Sequence, residues 1–289
     1  MSIDLTKITK TNKQKAPFIV IYGEGGVGKT TFAAEAQNPI FLDFENGSYH
    51  LDVQRIEKGY LIDTNKVLDV LRALYTQEHA FQTIVIDSLD ALEMLIHKQI
   101  EKEYNVNSIA DIDYGRGYVA AFNVMDQIIH ALTKLNQDKG MEIIIIGHSK
   151  VTLQEENPDE EAYSKYVIAV HKHIQTRLVQ LCDFILFAKQ KVYTTTQEGS
   201  FGKKTKKGHT GERVMYSANP GYCLAKSRAI GFPEELPLSY KAFKQALQAT
   251  QPKPKLEESK KSVAKEEKVN IVNFMTLTPT AGVSVKYAQ

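Results

Sequence analysis

Apolar positions along the chain fall into two alternating textures. Residues 18–22 (FIVIY) form a short β-branched run bounded by Pro17 and Gly23, the pattern of a strand buried on both faces. A helix is expected from Lys29 to about Gln37, stopped by Asn38-Pro39, because the residue before proline avoids the helical region. Residues 40–44 read as a second strand. Residues 83–86 (TIVI) read as a third, ending at Asp87. Residues 143–146 (IIII) read as a fourth, ending at Gly147-His148, and residues 184–187 as a fifth. Between them, helical spacing runs through Val67, Leu68, Leu71 and Leu74, then through Leu89, Leu92, Leu95, Ile96, Gln99 and Ile100. It returns in Phe122, Met125, Ile129, Leu132 and Leu135, and in Val170, Ile174, Leu178 and Leu181. Strands alternating with helices predict an α/β fold, a mostly parallel sheet with helices on both faces.

Past residue 190 the texture changes. VYTTT, RVMYS and YCLA are short strand-like pieces around a basic, Gly-rich loop, and they predict a C-terminal antiparallel extension of the sheet. Residues 239–249 form a last short helix. Residues 251–268 hold six Lys, four Glu and two Pro with few apolar positions, the composition of a solvated linker. The expected organisation is a flexible lead-in over 1–16, one domain over 17–250, and a charged linker with a disordered tail over 251–289.

Composition narrows the class without choosing a function. The 289 residues are 43% hydrophobic, enough for one sizeable core. A formal net charge of +2 neither demands nor excludes a nucleic acid, so such a partner must be argued from local patches. Two distant cysteines, Cys182 and Cys223, make neither a disulfide framework nor a zinc cage. The N-terminus is polar, and no run of about 18 apolar residues occurs. A soluble, cytoplasmic protein with no membrane partner is expected.

The strongest motif is GEGGVGKT, made of Gly23, Glu24, Gly25, Gly26, Val27, Gly28, Lys29 and Thr30, with Thr31 following. It fits G-x-x-x-x-G-K-[ST] between a strand and a helix, the context the motif requires. Its glycines let backbone N–H groups turn inward around a phosphate. Lys29 places a charge on the β- and γ-phosphates, and Thr30 offers a hydroxyl to Mg²⁺. TIVIDS supplies the matching second motif, in which a strand delivers Asp87 to hold Mg²⁺ through water. The same position could simply cap the next helix, a role that suits Ser88. Glu45, just past the second strand in FLDFENG, can orient and deprotonate the water that attacks the γ-phosphate. His148, at the end of the fourth strand, can sense that phosphate. No N-K-x-D motif occurs in the expected region, which points to ATP rather than GTP.

In those strand ends the chain resembles the RecA-like P-loop ATPases. It is most similar to the phage single-domain, Sak-type proteins of single-strand annealing and nucleotide binding. The likeness lies in YGEGGVGKTTFAA, FLDFENG, VIDSLDALE, YGRGY, GHS, CDFILF and AKSR, spread over about residues 16–245. The resemblance implies ATP with Mg²⁺, assembly into a homo-oligomeric ring or filament, and action on single-stranded DNA in the host cytoplasm. It assigns catalysis to Glu45 with Lys29 and His148, and it sets Lys226 and Arg228 to reach a neighbour's γ-phosphate. His148 stands where recombinases usually have Gln.

Three segments are candidates for DNA. YGRGY offers Tyr114 and Arg116, ring and cation for base and phosphate, or else a tight turn with Tyr packed on the core. Residues 150–173 follow the sensor strand. Lys150 leads that stretch, yet Glu155, Glu156, Asp159, Glu160 and Glu161 would repel a phosphate backbone, and they suit a protein neighbour equally well. GSFGKKTKKGH carries Lys203, Lys204, Lys206 and Lys207 at an expected hairpin tip. Residues 189–228 hold nine Lys or Arg against two Glu. An alternative from a different class is a nucleotide-gated interaction protein of a replication complex, with a single-strand-binding or replication protein on the tail. A small-molecule phosphotransferase is disfavoured by the lack of an Arg-rich lid.

Overall fold

The computed structural model describes residues 15–154, 161–198 and 204–250. In chain order the elements are β1 (Phe18–Gly23), α1 (Lys29–Ala34), β2 (Pro39–Asp43), β3 (Gln54–Ile56), α2 (Thr64–Thr76), β4 (Thr83–Asp87) and α3 (Leu89–Tyr104). There follow α4 (Arg116–Lys139), β5 (Glu142–Gln154), β6 (Tyr163–Ile168), α5 (Lys172–Leu181), β7 (Phe184–Glu198), β8 (Lys204–Tyr216), β9 (Lys226–Ser227), β10 (Glu235–Pro237) and α6 (Tyr240–Ala249). The strands share one sheet in the order β10-β8-β7-β1-β5-β4-β2-β3, with β6 paired to β5 and β9 to β7.

The centre of the sheet is parallel, and β1 shows why its sequence is apolar throughout. Every residue of β1 is buried, because successive side chains enter opposite faces and both faces are covered. Phe18, Val20 and Tyr22 pack into the cluster under α2, α3, α4 and α5. Ile19 and Ile21 pack into the cluster under α1 and α6. Helix starts follow local chemistry. The Asp63 carboxylate accepts from Lys66 N at 2.9 Å to begin α2, and the Ser88 hydroxyl accepts from Ala91 N at 3.3 Å to begin α3, satisfying donors that have no partner inside a helix.

Three expectations change. Helix α1 ends at Ala34 rather than near Gln37. The unforeseen β3 pairs in parallel with β2 through Gln54, Arg55 and Ile56, three residues with no apolar alternation to announce them. The fourth strand does not stop at Gly147-His148. It continues to Gln154 and pairs antiparallel with β6, Ser149 opposite Ile168 and Gln154 opposite Tyr163. Among the described residues of 150–173, 150–154 and 163–168 therefore form a two-stranded ribbon leading into α5, and not one loop. The change from a run buried on both faces to an exposed ribbon hides a single strand behind two patterns. At the other edge, β7 and β8 form the expected antiparallel extension, with a register shift between Gln190 and Val192. YCLA contributes only an isolated bridge from Cys223 to Tyr166.

Gly23 ends β1 level with Ala188 of β7, and the β7 backbone leaves no room for a side chain there. A Cβ there would lie 2.1 Å from the Ala188 carbonyl oxygen. Its glycine is thus required by strand packing before any phosphate arrives. Gly23→Ala should lower unfolding stability by about 3 kcal/mol, the upper range for forced overpacking, as read by urea denaturation. A variant as stable as the parent chain would show that the two strands can part without cost.

Candidate functional site

The parallel register brings separate sequence motifs to one edge. Gly23 is level with His148 across the β1/β5 pair. Asp87 is level with Ile146 on β5 and with Asp43 on β2. Strand β5 therefore runs between the phosphate-loop strand and the Asp87 strand.

The phosphate loop leaves β1 at Gly23. Gly26 and Gly28 take φ of 75° and 111°, the left-handed region that side chains disfavour. Val27 turns its side chain into the core, so it reaches a ligand only through its backbone. Glu24, Gly25, Gly26 and Thr31 are exposed. Lys29 is buried, and its ammonium donates to the carbonyls of Gly23 at 3.0 Å and Glu24 at 2.8 Å. Burial lowers its pKa, opposed by Asp87, Asp90, Glu45 and Glu24.

Asp87 accepts a hydrogen bond from the Thr30 hydroxyl at 2.9 Å. Burial pushes its carboxyl up to about 6, and the charges of Asp43 and Glu45 push the same way, against the Thr30 hydrogen bond and Lys29. A hydroxyl and a desolvated carboxylate side by side, with more carboxylates behind them, form a hard-oxygen set that fits Mg²⁺.

The two carboxylates of FLDFENG separate cleanly. Asp43 is fully buried. It accepts from the backbone N–H groups of Glu45, Gly47 and Ser48 and from the Ser48 hydroxyl, so it shapes the loop that carries Glu45. Glu45 is exposed, and its Oε1 accepts from the Ser88 hydroxyl at 2.6 Å. One serine thus caps α3 and aims the carboxylate of the loop that follows β2.

Asp90 is the residue that sequence reasoning passed over. It accepts from His148 N at 3.0 Å with one oxygen and sits 2.8 Å from His148 Nδ1 with the other. The ligand atoms of Glu45, Asp90 and His148 lie within 4.8 Å of one another. The position of Asp90, two residues after Ser88 in the first turn of α3, was the available signal. It read as an ordinary acidic helix start.

Other expected residues lie elsewhere. Lys226 and Arg228, expected to reach a neighbour's γ-phosphate, are bonded within their own chain. Lys226 Nζ donates to the carbonyls of Val179 and Cys182, and Arg228 donates to the Gln180 carbonyl and to Asp183. Both close the C-terminal end of α5, where carbonyls lack helical partners, beside the start of β7. Lys150 Nζ donates to the Val170 carbonyl at 2.7 Å, which ties it to the chain entering α5. Tyr118 of YGRGY stacks on His171 at 4.9 Å. Tyr114, by contrast, is 98% exposed at φ 56°, and Arg116 beside it is exposed. Lys204, Lys206 and Lys207 lie on β8 opposite Glu198, Thr196 and Thr195. Lys203, most of the acidic 154–161 stretch, nearly all of the lead-in and the tail lie outside the described residues. Among the described residues no helix is long and apolar enough to cross a membrane.

Comparison with known proteins agrees with this architecture. Residues 15–229 match the family model described as an AAA domain, so the chain belongs to that family of P-loop ATPases. It is also similar to the SPbeta prophage-derived uncharacterized protein YorG of Bacillus subtilis (strain 168), with 27% identity over 133 residues. That match covers 45% of this chain and 40% of the relative's length.

Asp87 gives the site a testable pH signature. Its folded pKa of about 6 lies above the ordinary 3.8, so the folded state holds the proton more tightly than the unfolded chain. The stability it contributes is present below about pH 4 and is lost as pH rises through 6. Asp87→Asn should therefore unfold at higher urea than the parent chain at pH 8 in EDTA, by about 2–3 kcal/mol. That gain should shrink towards pH 4. A gain independent of pH would remove the desolvated carboxylate from the account.

Proposed function

We propose that the protein hydrolyses ATP in a cycle coupled to single-stranded DNA, in phage-type recombination by annealing or strand exchange. The observation that carries the hydrolytic part is the placement of Glu45. Asp43 shapes its backbone, Ser88 holds its carboxylate, and the Thr30–Asp87 pair lies next to it. Thr30 and Asp87 would hold Mg²⁺, which would supply charge neutralisation to the phosphates. Lys29 swings from the Gly23 and Glu24 carbonyls to those oxygens. Glu45 accepts a proton from the attacking water. Asp90 takes Nδ1 of His148, leaving Nε2 to report on the terminal phosphate.

The DNA part draws on surface chemistry. Tyr114 and Arg116 present an exposed ring and cation, and the basic lysines of β8 extend the sheet beyond the site. Lys189 lies over the half-buried rings of Tyr166 and Tyr222 at 5.8 and 5.4 Å, a further cation–aromatic cluster near the β5/β6 ribbon. The prophage source of the similar Bacillus protein supports a phage setting and, with it, the host cytoplasm. A homo-oligomer remains part of this proposal, in which Lys226 and Arg228 would have to leave the carbonyls they bond at the end of α5 to reach a neighbour's γ-phosphate.

One observation favours the second reading, a nucleotide-gated interaction protein. The β5/β6 ribbon exposes Val151, Leu153 and Tyr163, apolar side chains that suit a protein partner better than a phosphate backbone. ATPase assays with and without single-stranded DNA separate the two. DNA should raise hydrolysis several-fold. Glu45→Gln should lower kcat about 100-fold or more while still binding ATP, and Lys29→Ala should lose tight binding. Hydrolysis unaffected by Glu45→Gln would reject the base. DNA that neither binds at low salt nor stimulates turnover would leave the interaction reading in place.

A further inference from the structure

Strand β1 has two neighbours, and Asp87, Glu45 and His148 approach the phosphate loop from the β5 side. On the other side β7 pairs with β1, and β8 pairs with β7. Arg213, opposite Gln190 on β8, brings its guanidinium against the last glycine of the loop. A Cβ on Gly28 would stand 3.5 Å from Arg213 Nη1 and 3.6 Å from Leu238 Cδ2. The Arg213 backbone is fixed there, because its carbonyl accepts from Leu238 N at 3.0 Å and Val214 pairs with Pro237. The segment after β10 is tied to α1 in turn, since Tyr240 N donates to Glu35 at 3.1 Å. The contacts that seat α1 behind the phosphate loop therefore also seat Arg213 beside it.

The other arginines are engaged within the chain. Arg55 pairs with Glu57, Arg72 with Asp69, Arg177 with Asp126 and Arg228 with Asp183, and Arg116 donates to the Asp113 carbonyl. Among the described residues Arg213 has no such oxygen, although it is exposed. A guanidinium held against a phosphate loop without a carboxylate is equipped to take a phosphate, bidentately if the ligand presents two oxygens.

Which part of the nucleotide it meets follows from the layout. Asp87, Glu45 and His148 mark the side where the terminal phosphate reacts. Arg213 lies on the opposite side of β1, where the nucleoside end must leave. We propose that Arg213 is a second cation of the nucleotide site, supplied in cis by β8, that holds the diphosphate portion shared by ADP and ATP. This rests on the phosphate-loop reading above. It differs from Lys29 and Glu45 in making no distinction between substrate and product.

Calorimetric titration of the full chain with MgADP and MgATP tests it. Arg213→Ala should weaken both nucleotides by the same factor, about tenfold, the size of one charge-assisted hydrogen bond. Arg213→Lys should recover part of that loss, through charge without the planar fork. Unchanged affinity for both nucleotides would overturn the proposal. So would a loss confined to ATP, which would place the guanidinium on the terminal phosphate. If the parent chain binds neither nucleotide, the phosphate-loop reading fails as well, an outcome distinct from a silent Arg213.

Discussion

Parallel pairing of β1, β5, β4 and β2 makes β1, β4 and β2 end at the same edge, where β5 passes at His148, and the site depends on that shared edge. It sets Gly23 beside His148 and Asp43 beside Asp87. It also forces carboxylates together in a place with little water, which is why the Asp87 carboxyl is pushed up to about 6. The fold accommodates this by giving each carboxylate a dedicated donor. Asp43 receives a ring of backbone N–H groups and the Ser48 hydroxyl, Asp87 the Thr30 hydroxyl, and Glu45 the Ser88 hydroxyl. Buried charge of one sign with satisfied hydrogen bonds is a standing demand for a cation.

Helix α3 is the brace that connects this edge to the surface beyond it. Its cap, Ser88, holds Glu45. Asp90 holds both the backbone and the ring of His148. One turn later Glu93 accepts from His171 N at 2.8 Å, and the His171 ring stacks on Tyr118 at the start of α4. Burial raises the Glu93 pKa, as expected for a carboxylate held inside a packed junction. A shift of α3 by a fraction of a turn would therefore be felt by the carboxylate, the histidine and the YGRGY turn together.

Two kinds of cation were indistinguishable along the chain and separate in space. Lys226, Arg228 and Lys150 all bond main-chain carbonyls around the two ends of α5, a structural duty that needs only a flexible amine or guanidinium near unpaired oxygens. Arg213 sits in a strand whose sequence, GERVMYS, offered no motif. Its neighbour across space is Gly28, 185 positions earlier by residue number, and no local pattern records such a pairing. Asp90 was hidden for a related reason, since an acidic residue in a first helical turn is already explained by the helix.

The sequence by itself determined the alternation of strands and helices, the phosphate-loop motif, the strand that ends at Asp87 and the carboxylate pair of FLDFENG. These are local: each needs only a period of apolar residues and a turn or polar group at its end. Strand order was decided by tertiary structure alone, because apolar runs buried on both faces carry no mark of which neighbour they pair with. That order placed β5 between Gly23 and Asp87, extended it into the β6 ribbon, and set Arg213 against Gly28. It also gave Asp43 and Glu45 their different tasks, since burial and hydrogen-bond partners are properties of the packed chain and not of the heptapeptide.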